Sequence, residues 1–317
     1  MKKINLLFLA ALVFFGIIFF AKNSLAEQNA AAGFSIQPFY QEINIQKDQD
    51  KIPFSIEVKN NTHQLSVFRV SVLDFGALDE SGGVAFLGSG DNLKYALASW
   101  VNLQNDTLVI GAGETQSIKG YIENRDSLSP GGHYGAIYLK NEDRSFSGNQ
   151  KQNVTLDSSF ASLLFVRKIG GEIYDLKFDS KVFSQNILSL PDFVKVRFKN
   201  SGNVHVTPRG TIKLIDPFSR VVQSGIINEQ SAIILPETFR IFSTKLMKLA
   251  NAFSPGRYKL EINYRYDGKE DFETNVSSFV FVPPIFVGAS LFLVVIAALG
   301  ANFLRKRKNN KKIKIKK

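Results

Sequence analysis

The chain has 317 residues, no cysteine and a formal net charge of +11 at pH 7. The lack of cysteine excludes a fold held by disulfides and a lipid-modified cysteine anchor. Nine positive charges lie in residues 305–317 and three are Lys2, Lys3 and Lys22, so 11 − 9 − 3 leaves −1 for residues 27–304. This balance argues against a nucleic-acid partner, which would require a basic surface on the folded domains.

The N-terminus has the three parts of a secretory signal peptide. A basic start at residues 1–5 is followed by apolar residues 6–21, and small residues stand at Ser24 and Ala26. The pattern predicts cleavage after Ala26, so that residues 1–26 form the signal peptide. The alternative is an uncleaved anchor, which would add a second membrane span.

Short runs of alternating apolar and polar side chains fill residues 34–283, separated by Gly, Asn, Asp, Ser and Pro. Residues 54–58 and 194–198 are two such runs. Alternation with a period of two is typical of strands that bury one face, and no long helical period interrupts it. This region is therefore predicted to be all-β.

The two halves of this region resemble each other, which indicates an internal repeat. Three pairs of residues are aligned by the match: Asn60 with Asn200, Glu114 with Glu237, and Tyr134 with Tyr258, the last pair after two Ser-Pro-Gly turns. The repeat predicts two tandem immunoglobulin-like β-sandwiches, residues 33–168 and residues 171–282, joined by a short hinge.

The first half is longer than the second between two aligned positions. Asn60 and Glu114 are 54 residues apart, whereas Asn200 and Glu237 are 37 apart, a difference of 17. The extra residues fall within a segment, residues 78–105, that contains Tyr95 and the only tryptophan, Trp100. Loops added to a rigid sandwich commonly have a binding function, so both aromatic residues are candidate ligand-binding residues. For Trp100 the alternative is a core position between the sheets.

His133 and Tyr134 follow a Pro-Gly-Gly turn and complete the candidate ligand-binding set. A histidine suits catalysis or metal binding, but His63, His133 and His205 stand apart, without a second histidine or cysteine at the spacing of a metal site. A structural histidine at the edge of a turn is the other interpretation. The sequence contains no motif of a nucleophilic or metal-dependent hydrolase, so we expect no enzyme activity, no metal and no cofactor.

An uncharged segment of twenty residues, 285–304, precedes a basic tail, residues 305–317, with nine Lys or Arg and no acid. At about 1.5 Å per residue, a helix of this length reaches across the roughly 30 Å of a bilayer core. The positive charges predict a cytoplasmic tail. The expected protein is therefore a single-pass cell-membrane protein with its domains outside.

Several short motifs resemble those of the WxL-interacting protein family of bacterial surface proteins. They are Phe34–Pro38, Lys59–Asn61, Tyr95–Val101, Gly113–Thr115 and Pro130–Ile137. The resemblance implies an immunoglobulin-like, peptidoglycan-binding first domain, a second β-sandwich and a C-terminal membrane anchor. It covers the first domain and the overall layout better than the second domain.

The expected function is non-covalent binding of a cell-envelope ligand, either peptidoglycan or another surface protein. The alternative is a chaperone-like or scaffold protein that captures exported proteins by adding their strands to an open sheet edge. A protein of this second kind would bind a polypeptide and ignore cell-wall glycan.

Overall fold

The computed structural model describes residues 33–89, 94–142 and 159–315. The predicted signal peptide lies outside these residues. Within them the chain forms strands and one long C-terminal helix, which confirms the all-β class predicted for the region before that helix.

The first immunoglobulin-like domain contains the first ten strands. They are β1 (Phe34–Gln37), β2 (Tyr40–Ile45), β3 (Lys51–Asn60), β4 (Ser66–Ala77), β5 (Val84–Gly88), β6 (Val101–Leu103), β7 (Thr107–Ile110), β8 (Thr115–Glu123), β9 (Gly131–Asn141) and β10 (Ser159–Lys168). A short 3₁₀-helix, Ala98–Trp100, precedes β6.

Two sheets make up this domain. One has the order β1-β3-β8-β6; the other has the order β2-β10-β9-β4, with β5 and β7 both paired to the far side of β4. The chain changes sheets between β1 and β2, at a cis peptide bond between Gln37 and Pro38. Alternating side chains such as Ile56, Val58 and Leu139 meet between the sheets as a buried core.

The second immunoglobulin-like domain contains the remaining eight strands. They are β11 (Leu176–Phe183), β12 (Phe193–Asn200), β13 (Arg209–Ile215), β14 (Val221–Ile227), β15 (Phe239–Lys245), β16 (Met247–Lys248), β17 (Gly256–Tyr266) and β18 (Lys269–Phe281). A sheet of order β11-β12-β15 faces a sheet of order β16-β14-β13-β17-β18. Val196, Phe198 and Ile212 belong to the core between them.

Two buried asparagines occupy equivalent positions in the two domains. The side-chain amide of Asn60 donates to the carbonyl of Ile110, and that of Asn200 donates to the carbonyl of Ile234. The backbone N–H of Asn60 donates to the carbonyl of Glu114, whereas that of Asn200 donates to the carbonyl of Thr238. Glu114 therefore corresponds to Thr238, one residue beyond the Glu237 that sequence matching selects.

The tyrosines that follow the two Ser-Pro-Gly turns are offset by one residue in the same way. The Tyr258 hydroxyl donates to the carbonyl of Ser254, four residues earlier. In the first domain His133, not Tyr134, makes this contact, because its Nε2 lies 2.8 Å from the carbonyl oxygen of Ser129. The sequence match paired the two tyrosines by residue type, but the hydrogen bonds pair Tyr258 with the histidine.

The C-terminal helix, α1, begins at Pro284 and ends at Ile315. Proline is favoured at the first helical position, where its missing N–H has no intrahelical partner to lose. The stretch Pro284–Arg305 is long and apolar enough to cross a membrane, and its most apolar part does not pack against the other described residues. The predicted spanning segment, residues 285–304, lies inside this stretch.

Candidate functional site

The second domain covers the outer face of the sheet that contains β9. The first seven residues of β9 are all buried, although a strand of an isolated sandwich would bury only one face. On the outer face Tyr134 forms a second apolar cluster with Phe75 and Phe165, and Ile233 and Leu235 of the second domain pack against it. The interface between the domains is therefore a small core of its own.

A buried histidine adds polar contacts to this interface. His205, 2% exposed, places Nδ1 3.2 Å from the Tyr134 hydroxyl. Its Nε2 lies 3.4 Å from the Arg167 guanidinium and 3.8 Å from the Glu42 carboxylate. The contact with His205 lowers the pKa of Glu42. These contacts join three strands of the first domain to one loop of the second.

The turn between β4 and β5 makes a second connection. The carbonyl of Glu80 accepts a hydrogen bond of 2.8 Å from the backbone N–H of Ile241, so the turn covers part of the free edge of β15. The Glu80 carboxylate accepts from Nε of Arg197 at 2.8 Å, and the guanidinium lowers the pKa of Glu80. Arg197 also binds Asp179, which fixes its orientation.

His133 and Tyr134, two of the predicted ligand-binding residues, are buried. His133 is 4% exposed, and its Nδ1 lies 2.9 Å from the carbonyl oxygen of Ala96. Burial lowers the pKa of His133. Both ring nitrogens of His133 lie against carbonyls and the Tyr134 hydroxyl is directed at His205, so these side chains lie in the turn and in the domain interface.

Trp100 and Tyr95 lie in different places. Trp100 is half-buried and packs against the core of the first domain, as the alternative interpretation expects, with the Arg125 guanidinium 5.6 Å from its ring centre. Tyr95 lies at the domain interface, where its hydroxyl donates to Glu237 at 3.1 Å. The structure thus brings Tyr95 and Tyr134 together but leaves Trp100 apart. A ligand-binding role for the four residues stays a prediction.

An apolar groove follows the line where the domains meet. One hollow of about 300 Å³ has Phe39, Tyr40 and Phe75 among its walls. A neighbouring hollow of about 290 Å³ shares Phe75 and Leu235 with it and extends to Lys94. Concave, mainly apolar surfaces between domains are common ligand sites.

One arginine in the wall of the groove has no acidic partner in the described part of the chain. Arg240 donates to the carbonyl of Ile233, and burial lowers its pKa without a compensating carboxylate. Gly82 makes room for it: this residue has a φ of +98°, and a Cβ there would lie 2.0 Å from a guanidinium nitrogen. Arg240 has no signal in the sequence, because an isolated arginine in a strand forms no pattern.

Strand β5 forms one rim of the groove. Among the described strands it pairs only with β4, which leaves its other edge open. Val84, Phe86 and Leu87 are 37%, 44% and 53% exposed, and the strand contains no charge. Soluble proteins usually protect such an edge with lysine, proline or a bulge. Strand β5 lies within residues 78–105, the segment that sequence reasoning selected for binding.

No three His, Asp or Glu side chains lie close enough to hold a metal ion within residues 33–89, 94–142 and 159–315.

A scan against models of protein families finds no match to this chain, and a search of curated proteins finds no similar sequence. Similar solved structures include the class 5 fimbriae chaperone CfaA, with 12% identity, a TM-score of 0.42, and coverage of 79% of this chain and 99% of that one. A chain from the complex of the Salmonella enterica SafA pilin with the SafB chaperone has 9% identity, a TM-score of 0.38, and coverage of 77% and 96%. The Pseudomonas aeruginosa CupB2 chaperone has 10% identity, a TM-score of 0.33, and coverage of 78% and 100%. These likenesses are too distant to support an inference about function.

Proposed function

We propose that this chain is a membrane-anchored binding protein that holds an extended segment of another exported protein in the groove between its two domains. The observation that carries the proposal is an apolar groove whose rim has a strand edge, and whose wall has an arginine, that find no pairing strand and no acidic partner among the described residues. Each of these three features matches one part of an extended polypeptide.

The walls of the groove suit apolar side chains. Phe39 and Tyr40 are 64% and 49% exposed, so a ligand would remove apolar surface from water on both sides of the contact. Burial of one Leu-sized side chain is worth about 1.5–3 kcal/mol. A glycan fits this surface less well, because each buried sugar hydroxyl requires a hydrogen-bonding partner.

The open edge of β5 suits a polypeptide backbone. A strand added there would satisfy a row of N–H and C=O groups, and alternate side chains would point toward the groove. Val84 and Leu87 line the hollows as well as belonging to β5, so the edge and the groove form one continuous surface.

Arg240 suits a carboxylate, either a chain terminus or an acidic side chain. Its guanidinium already bears the cost of partial burial, and a carboxylate would supply the missing countercharge. A hydrogen bond between charged partners in such a site is stronger than one on an open surface. The arginine would therefore set the register of the bound segment.

In our proposal the groove faces the outside of the cell, which the basic tail after helix α1 supports. Lysine and arginine are retained on the cytoplasmic side, and residues 305–317 contain nine of them. The anchor would keep the binding domains next to the membrane, where newly exported chains emerge.

The test uses the full chain in lipid nanodiscs and a library of short peptides with free C-termini. The dissociation constant of the best binder is measured by fluorescence anisotropy. We expect Arg240→Gln to weaken binding by about tenfold, equivalent to about 1.4 kcal/mol. The matched control is Arg265→Gln, which removes an exposed arginine on β17, outside the walls of the groove.

The same peptide with a C-terminal amide identifies which carboxylate Arg240 binds. Amidation removes the terminal carboxylate and keeps acidic side chains, so a loss of affinity indicates the terminus and unchanged affinity indicates a side chain. Unchanged affinity in Arg240→Gln, or an equal loss in both variants, overturns the assignment of the groove. Sedimentation with insoluble peptidoglycan that persists when a peptide fills the groove would support glycan binding instead.

A further inference from the structure

The end of the second domain next to helix α1 has an unusually apolar surface. Its loops and the short strand β16 expose six large apolar side chains: Ile187, Leu188, Phe218, Met247, Leu249 and Phe253. Their exposed fractions range from 43% to 70%. Exposed apolar groups concentrated in one place mark an interaction surface in most soluble domains.

Strand pairing shows that these loops lie at the same end as helix α1. Phe281, the last residue of β18, pairs with Gly256, the first residue of β17, and Ile215, the last residue of β13, pairs with Lys259. The loop after β13, which contains Phe218, and the loop before β17, which contains Phe253, therefore both lie beside the end of β18.

The two other apolar segments lie at this end as well. Met247 pairs with Ser224 in the middle of β14, and the N–H of Leu249 donates to the carbonyl of Val222, the second residue of β14, next to the turn that contains Phe218. The carbonyl of Ile187 accepts a hydrogen bond of 2.7 Å from the N–H of Val282, two residues before the helix begins. The apolar loops thus surround the point from which the chain enters α1.

Basic residues accompany the apolar ones. The segments 184–193, 216–220 and 245–257 contain four Lys or Arg and two Asp. One of the two acids, Asp216, is buried and already bound to Arg220. The exposed charge of this end is therefore positive, which complements anionic lipid headgroups.

We infer that this end of the second domain rests on the bilayer, with the Phe218 and Phe253 loops inserted among the lipid headgroups. Only Val282 and Pro283 separate β18 from α1, and two residues span at most about 7 Å. Apolar side chains beside basic ones enter the boundary between headgroups and acyl chains, to a depth of about 5–10 Å. Contact with the lipid fixes the orientation of the domains, and with it the direction in which the groove opens.

This inference rests on the proposal that α1 spans the membrane, and the experiment tests the two separately. The chain contains no cysteine, so single cysteines can be introduced without removing others. Phe218→Cys, Phe253→Cys, Phe86→Cys and Ala298→Cys are each labelled with an environment-sensitive fluorophore in the full chain. The proteins are reconstituted into vesicles of phosphatidylcholine and phosphatidylglycerol with lipids spin-labelled at a shallow or a deep position.

We expect a blue shift and quenching by the shallow label at 218 and 253, and neither effect at 86 in the first domain. The label at 298 should be quenched by the deep spin label. Omission of phosphatidylglycerol should reduce quenching at 218 and 253 but not at 298. Quenching at 298 with water-like spectra at 218 and 253 overturns the lipid-contact inference alone, whereas no quenching at 298 overturns the membrane span.

Discussion

The equivalent asparagines, Asn60 and Asn200, allow the stability of each domain to be perturbed separately. Asn200 is fully buried, and its side chain makes three hydrogen bonds. Its amide donates to the carbonyls of Val204 at 2.7 Å and Ile234 at 3.0 Å, and its carbonyl oxygen accepts from the N–H of Gly202 at 3.0 Å. Replacement by alanine removes all three bonds and takes from the N–H of Gly202 and the carbonyl of Val204 their partner in Asn200, whereas the carbonyl of Ile234 still accepts from the N–H of Val206.

The expected cost follows from the three lost bonds and the two groups deprived of Asn200. A hydrogen bond contributes about 1 kcal/mol net, and a buried group left unpaired costs about 1–3 kcal/mol. Asn200→Ala should therefore destabilise the second domain by about 3–5 kcal/mol, which is large for one substitution. Asn60→Ala should do the same to the first domain, since its amide binds the carbonyls of Gln64 and Ile110 and its oxygen accepts from Thr62.

The chain contains a probe that separates the two effects. Trp100, the only tryptophan, packs against the core of the first domain, so its fluorescence follows that domain, while far-ultraviolet circular dichroism follows both. With a slope of about 2 kcal/mol per molar urea, the loss lowers the midpoint by about 2 M. In detergent-solubilised full chain, Asn60→Ala should shift the fluorescence transition, and Asn200→Ala chiefly the dichroism transition.

An exposed asparagine is the control. Asn251→Ala should change either midpoint by less than about 0.3 M, because surface substitutions usually lie within about 0.5 kcal/mol. An unchanged dichroism transition in Asn200→Ala would refute the equivalence of the two sites. Equal shifts of both transitions in both variants would refute the independence of the two cores.

Three further outcomes are expected. Tyr258→Phe, which removes the hydroxyl bond to Ser254, should cost about 1 kcal/mol in the same urea experiment. Because burial lowers the pKa of His133, the unfolded chain binds a proton at a higher pH than the folded one. Stability should therefore fall as the pH drops through 6.5, the ordinary value for this group, and His133→Gln should flatten that part of a stability–pH curve. Ala298→Arg should reduce membrane insertion by up to about 2.5–3.5 kcal/mol, the cost at the centre of a span, measured as the fraction extracted by carbonate.

A different result would contradict each of the three predictions for Tyr258, His133 and Ala298. An unchanged urea midpoint in Tyr258→Phe would mean that water replaces the hydroxyl bond. A stability curve in His133→Gln that stays parallel to that of the parent would assign the acid sensitivity to carboxylates. Membrane retention of Ala298→Arg equal to that of Ala298→Ser would contradict a membrane span that contains this residue.

The local sequence pattern was sufficient to predict the strands and the helix of this protein. Residues 54–58 and 194–198 alternate with a period of two and lie in β3 and β12, because one face of each strand is buried whatever its partner. The uncharged stretch before the tail likewise forms a helix by its own length and composition. Such signals depend on neighbours in the sequence, which are always present.

Only the tertiary structure showed which residues of the two domains are equivalent. Sequence matching paired Glu114 with Glu237 and Tyr134 with Tyr258 by residue type. The hydrogen bonds pair Glu114 with Thr238 and His133 with Tyr258, because a backbone N–H or carbonyl is the group that must be satisfied, whatever side chain it bears. A shift of one residue reverses which face of a strand each side chain occupies.

By itself the sequence determined an all-β chain with a helix able to cross a membrane, since periodicity and hydropathy are properties of contiguous residues. Only the tertiary structure decided that β9 is buried on both faces and that Tyr134 meets His205, 71 residues away. It also decided that Arg240 stands in a groove beside Gly82 without an acidic partner among the described residues. These features arise where two domains meet, and a contact between distant segments leaves no trace in the local pattern of either.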